Sequence, residues 1–155
     1  MSRRDSREAA VKIIFQNTFT DNRLNTASHN EESTDIFAQT ESDEMIDTYF
    51  EGAGDEANSV LDSVYIKSIL EGVIQEISKI DEYIVKNSKD WTIDRMSKVD
   101  LAILRVAIYE IIYREDIPAS VSINEAVELA KKYSHQDAGS FINGILGSVY
   151  SESNT

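Results

Sequence analysis

The sequence contains no cysteine. That removes disulfide frameworks, thiol nucleophiles and zinc–thiolate sites, and it fits a reducing, cytoplasmic setting. One proline and six glycines in 155 residues are too few for a turn-rich sheet protein and favour helices. No apolar run approaches the ~20 residues a membrane-spanning helix needs, so no membrane partner is expected. The N-terminus carries arginines but no uninterrupted apolar segment ending at a small-residue cleavage site, which argues against a secretory leader. Catalytic constellations are scarce as well: there is no Gly-rich phosphate loop, no nucleophile elbow and no His-x-x-x-His pair. The two histidines, His29 and His135, sit far apart in expected loops as solvated residues. Glu41, Asp43, Glu44 and Asp47 lack the loop glycine and terminal glutamate of a calcium site and read as a solvated face. The expectation is a protein that is not an enzyme and holds no cofactor or metal.

What the chain has in excess is negative charge, a net −13. By itself this argues against a nucleic-acid partner. The charge is concentrated, however: residues 21–60 hold eleven acidic residues and one basic residue, Arg23, and the remainder has a net charge of only −3. At the other extreme, Arg3, Arg4 and Arg7 cluster near the N-terminus, diluted by Asp5 and Glu8.

Periodicity gives an all-α chain of one domain's length, large enough to bury a core without staples. Residues 5–19 read as a first helix with Val11, Ile14, Phe15 and Phe19 as its apolar stripe. The arginines at its start point roughly the same way, and since unpaired arginines cannot line a core they are expected to project past its end as a solvated basic pole. Residues 20–34 are polar and aperiodic, which suggests a mobile loop, and a marginal helix is expected around 35–50 before Gly52 and Gly54. From Ser59 to Ile80 the spacing of Leu61, Tyr65, Ile69, Val73, Ile77 and Ile80 predicts one amphipathic helix. A short element with Tyr83, Ile84 and Val85 leads through Trp91 to a helix starting at Ser97, with Asp100 three residues on.

Between Val99 and Tyr113 only Asp100, Arg105 and Glu110 are charged, the signature of a central buried helix, and Pro118 prevents its continuation. Arg105 inside it requires an internal ion pair. Ser122 with Glu125 reads as a capping box opening the next helix, and a last helix is expected from about Ala138 to Ser151.

Val99-Asp100-Leu101-Ala102-Ile103-Leu104-Arg105-Val106-Ala107-Ile108-Tyr109-Glu110, Ile117-Pro118, Ile123-Asn124-Glu125-Ala126, Leu129-Ala130-Lys131 and Phe141-x-Asn143-Gly144-x-Leu146 together resemble the NusB family of transcription antitermination factors. The resemblance covers about Trp91 to Tyr150 and returns at Arg3 to Phe19, while residues 20–60 do not share it in detail. It implies two packed three-helix bundles, residues 5–80 and 81–151 of a single RNA-binding domain, with an acidic, partly mobile segment near 20–60. It also implies binding of boxA-type RNA together with the small ribosomal protein NusE, and entry into the RNA polymerase antitermination complex, notably on ribosomal RNA operons.

On the RNA side the resemblance implies Arg3, Arg4, Arg7, Phe15, Asp137, Phe141 and Asn143, with Ser140 standing where relatives can have lysine. On the side of the basic ribosomal protein it implies Asp94 and Asp100. The alternative is an acidic helical protein-interaction module with little RNA binding of its own. The RNA-recognition domain of a ribosomal RNA methyltransferase has a similar fold, but 155 residues leave no room for a cofactor-binding sheet.

Overall fold

The computed structural model describes residues 3–19, 43–49, 51, 62–89 and 92–154, and no strand occurs among them. The chain divides into two compact units, Met1–Gln75 and Glu76–Thr155. The expected loop at 20–34, most of the acidic segment and Trp91 lie outside the described residues.

In the first unit, α1 (Arg3–Thr18) packs against α3 (Ser63–Gln75), and residues 43–49 form α2. Ala9, Ala10, Ile13 and Ile14 of α1, Met45 and Ile46 of α2, and Ile66, Ile69, Leu70, Val73 and Ile74 of α3 are buried. Complete burial of an Ile or Leu side chain contributes roughly 1.5–3 kcal/mol, so this apolar set dominates the stability of the unit. Ile13 joins it although the stripe read from the sequence omits it, and Phe19, counted in that stripe, is 60% exposed. Asp62 caps α3 by accepting the Tyr65 N–H at 3.1 Å, and its own N–H donates to Ser6 Oγ at 2.9 Å. One residue thus starts α3 and ties that start to α1.

The helix expected to run on to Ile80 is broken at Glu76, where the backbone leaves helical geometry (φ −104°, ψ 18°), and α4 (Ile77–Asn87) begins directly after it. The short element around Tyr83 is therefore part of α4. The break occurs without a glycine or proline at Glu76, whose side chain is held by a tertiary contact: Tyr113 Oη donates to Glu76 Oε2 at 3.1 Å. Burial and the bond to Glu76 push the Tyr113 hydroxyl well above the ordinary tyrosine range.

The second unit is organised around α5 (Lys98–Tyr113), which packs against α4, α6 (Ala119–Tyr133) and α7 (Ala138–Ser153). Ser97 Oγ accepts the Asp100 N–H at 3.1 Å, the expected start of α5. Leu101 through Ile108 are all buried, among them Arg105. The internal ion pair is present: Arg105 Nε and Nη2 donate to Asp81 Oδ1 and Oδ2 at 2.9 and 2.8 Å, clamping α4 to α5. At the far end of α4, Lys86 and Asn87 both bond Glu152 of α7. The capping box at Ser122 is not realised. Helix α6 begins at Ala119, because Pro118 in extended geometry offers its carbonyl to Val121 and Ser122, and Ser122 Oγ ends buried without a hydrogen-bond partner among the described residues.

Candidate nucleic-acid interface

Helix α1 carries the N-terminal cations. Arg3 and Arg4 are exposed, whereas Arg7 is only 4% exposed and corrects the expectation of a solvent-facing residue. The reason lies on α3. The Arg3 guanidinium carbon stands 4.3 Å from the centroid of the Tyr65 ring and that of Arg7 5.9 Å from the same centroid. Arg3 and Arg7 are one turn apart, so a single buried ring serves both. A guanidinium over an aromatic face gains about 0.5–2 kcal/mol, and the contact does not use its in-plane N–H donors. Tyr65 is the residue that sequence reasoning missed: at helical spacing with Leu61 and Ile69 it read as plain core, and it is buried. An aromatic in such a stripe, with arginines elsewhere in the chain, was the one available signal.

Farther along α1, Phe15 is half-buried and meets Phe19 edge to face, the ring centroids 5.3 Å apart. Between the arginines and these rings, Glu8 and Lys12 form a surface pair at 3.6 Å. The exposed flank of α1 therefore presents cation, neutralised pair and aromatic in succession, which is the order of groups a single-stranded polynucleotide uses: phosphate, then base.

In the second unit, Asp137, Phe141 and Asn143 lie in the first two turns of α7, with Asp137 and Phe141 one turn apart and Asn143, two residues beyond Phe141, on another side of the helix. Asp137 and Asn143 are exposed and Phe141 is half-buried. Asp137 occupies the N-cap position but makes no side-chain cap bond, so its carboxylate is not spent on helix initiation. Ser140 is exposed beside them. Asp94 is exposed in the 3-10 turn Ile93–Arg95. Asp100 is buried in the first turn of α5, and its Oδ1 has no hydrogen-bond partner among the described residues.

Among the described residues no group of three or more His, Cys, Asp or Glu could hold a metal ion, and no helix is long and apolar enough to cross a membrane.

Residues 4–151 match the NusB family. The transcription antitermination protein NusB of Ruminiclostridium cellulolyticum is 44% identical over 149 residues, covering 96% of this chain and 88% of that protein. NusB of T. maritima superposes with a TM-score of 0.74 at 29% identity, covering 98% of this chain and 92% of that one. A crystal structure of the antitermination factors NusB and NusE in complex with dsRNA gives a TM-score of 0.72 at 22% identity over 97% of this chain and 96% of that one, a likeness of fold. The chain belongs to the NusB family of transcription antitermination proteins, non-catalytic regulators of bacterial transcription.

Proposed function

We propose that this chain binds boxA-type RNA together with the small ribosomal protein NusE, and in that complex joins RNA polymerase in the cytoplasm to suppress premature termination, notably on ribosomal RNA operons. The observation that carries the reading is the Arg3 guanidinium stacked on Tyr65 at the head of α1, beside exposed Arg4, in a chain whose net charge is −13. A cation held in place against the field of its own protein loses less side-chain entropy on meeting a phosphate. A related NusB has been crystallised with NusE in complex with dsRNA, which supports NusE and RNA as partners here.

In this reading Arg3 and Arg4 meet phosphates, Phe15 and Phe141 stack on bases, and Asp137 and Asn143 bond base edges. Arg7 acts from beneath, as a buried group on the same tyrosine ring. Asp94 and Asp100 face the basic ribosomal protein, Asp94 as the accessible carboxylate.

The test is a titration of boxA-type RNA with and without NusE over a range of salt. Neutralising two to four phosphates of a single strand gives a slope of log affinity against log salt of about −1.5 to −3. NusE should tighten RNA binding, and RNA must tighten NusE binding by the same factor. A slope near zero, with RNA affinity indifferent to NusE, would instead identify an acidic protein-interaction module.

A further inference from the structure

We propose that the end of α6, where Lys131, Lys132 and Tyr133 lie in succession, is a second binding site for single-stranded RNA, built from phosphate-binding cations and a base-stacking ring. The inference rests on the RNA reading above and adds a site to it.

The sequence contains only two adjacent pairs of basic residues, Arg3-Arg4 and Lys131-Lys132. From Leu129 to Gln136 there is no acidic residue, and His135 adds a further exposed nitrogen base in the turn before α7. Glu128 and Asp137 flank this stretch, and within it the two lysines are the only charged side chains, so a polyanion meets two adjacent cations there in a protein of net charge −13. The bland explanation is that lysines complement the negative end of the helix dipole. That accounts for the charge but not for what lies beside it. Tyr133 is 41% exposed, and the Lys132 ammonium stands 5.2 Å from the centroid of its ring. An exposed aromatic with a cation over it is the arrangement that stacks a base while the cation meets the adjoining phosphate.

Placement points the same way. A β-carbon on Gly139 would touch Cγ and Cε of Lys131 at 3.7 and 3.9 Å, so the lysine stem runs along the first turn of α7. The Lys131 ammonium is thereby carried toward the segment holding Asp137, Ser140 and Phe141. It supplies a cation where Ser140 leaves none. Its pairing with Glu128, 3.4 Å between two exposed groups, is weak and salt-screened, and a phosphate can displace it.

The experiment titrates a labelled single-stranded boxA-type RNA into the full chain, with and without NusE, at several salt concentrations. The paired substitution Lys131→Gln with Lys132→Gln should flatten the salt slope by about 1.4, at about 0.7 for each phosphate no longer neutralised. Lys131→Arg with Lys132→Arg should leave the slope as it was. Tyr133→Leu should weaken binding on the order of tenfold with the slope unchanged, and Tyr133→Phe should restore it. Lys132→Gln alone, at an exposed side chain, reads out half the effect should the double variant not fold.

Variants that fold like the parent and bind RNA with its affinity and slope overturn the site while leaving the N-terminal interface intact. Weakened NusE binding with unchanged RNA slopes would assign the patch to a protein partner and overturn it too. A parent chain that binds no RNA under any of these conditions overturns the RNA reading itself, and this site with it.

Discussion

Replacing Arg105 by alanine removes a guanidinium that is wholly buried and leaves Asp81, itself 3% exposed, without that counter-charge. Two charge-assisted hydrogen bonds disappear, at 2.9 and 2.8 Å. Each such bond contributes about 1.5–3 kcal/mol, and stranding a buried charge costs about 3–5 kcal/mol in total. The expected loss is therefore about 4 kcal/mol, a large share of the ~5–15 kcal/mol that holds a domain folded. At ~2–4 °C per kcal/mol for a chain of this length, the unfolding midpoint should fall by roughly 10 °C.

Urea and thermal unfolding followed by circular dichroism measure it. Arg114 supplies the internal control, because it makes the same fork with Asp116, at 2.8 and 2.9 Å, near the surface. Arg114→Ala should cost less than about 1 kcal/mol, since solvent screens an exposed pair. Burial and not geometry sets the difference. Combining Asp81→Leu with Arg105→Met should recover most of the loss, because an apolar pair of similar volume removes both charges of the clamp together. An Arg105→Ala protein within about 0.5 kcal/mol of the parent would refute the clamp between α4 and α5.

The remaining predictions concern groups at the edges of the two units. Arg3→Ala, which removes an exposed cation over the Tyr65 ring, should cost no more than about 1 kcal/mol of stability and flatten the salt slope of RNA binding by about 0.7, whereas Arg7→Ala, at a buried site, should cost about 1–3 kcal/mol by urea titration. Tyr113 ionises less readily in the folded chain because of burial and the bond to Glu76. Its contribution is therefore whole below pH ~10, where unfolded tyrosine titrates, and is lost as pH rises beyond it. Tyr113→Phe should remove that alkaline loss in midpoints measured from pH 8 to 11. The hydrogen bond from Lys86, and then that from Asn87, hold Glu152 below the usual glutamate range, so its contribution is present above the unfolded value of 4.5 and disappears as pH falls through the lowered one. Lys86→Met should flatten the acid limb of a stability profile. Ser122→Ala should be neutral or stabilising by up to about 1 kcal/mol, because it deletes a buried hydroxyl with no partner among the described residues; a loss of that size would restore the helix cap.

Elements whose limits are set by their own residues were readable from the sequence. The run from Val99 to Tyr113 declares a buried helix, Ser97 and Asp100 mark its start, and Pro118 bars its extension. The break at Glu76 is invisible to the same reasoning. Val73, Ile77 and Ile80 keep helical spacing straight through it, and the group that holds the Glu76 side chain at the break is a hydroxyl 37 residues away. Likewise Arg105 announces that it needs a counter-charge but not that Asp81 provides it. Ser122 shows a local motif losing to a stronger neighbour, since a proline carbonyl already accepts the first helical N–H groups.

The candidate interface divides along the same line. The charge of Arg3, Arg4 and Arg7 is legible, and so is the aromatic character of Phe15 and Phe141. Which arginine meets solvent is not, because that depends on where α3 sets its tyrosine. Arg3 and Arg7 share one helix face and one ring, yet the first is exposed and the second buried. Tyr65 belongs to the core by its spacing and burial, and to the arginines by its ring. A residue with two such allegiances is assigned by spacing to the first, and only the packing of α1 on α3 reveals the second.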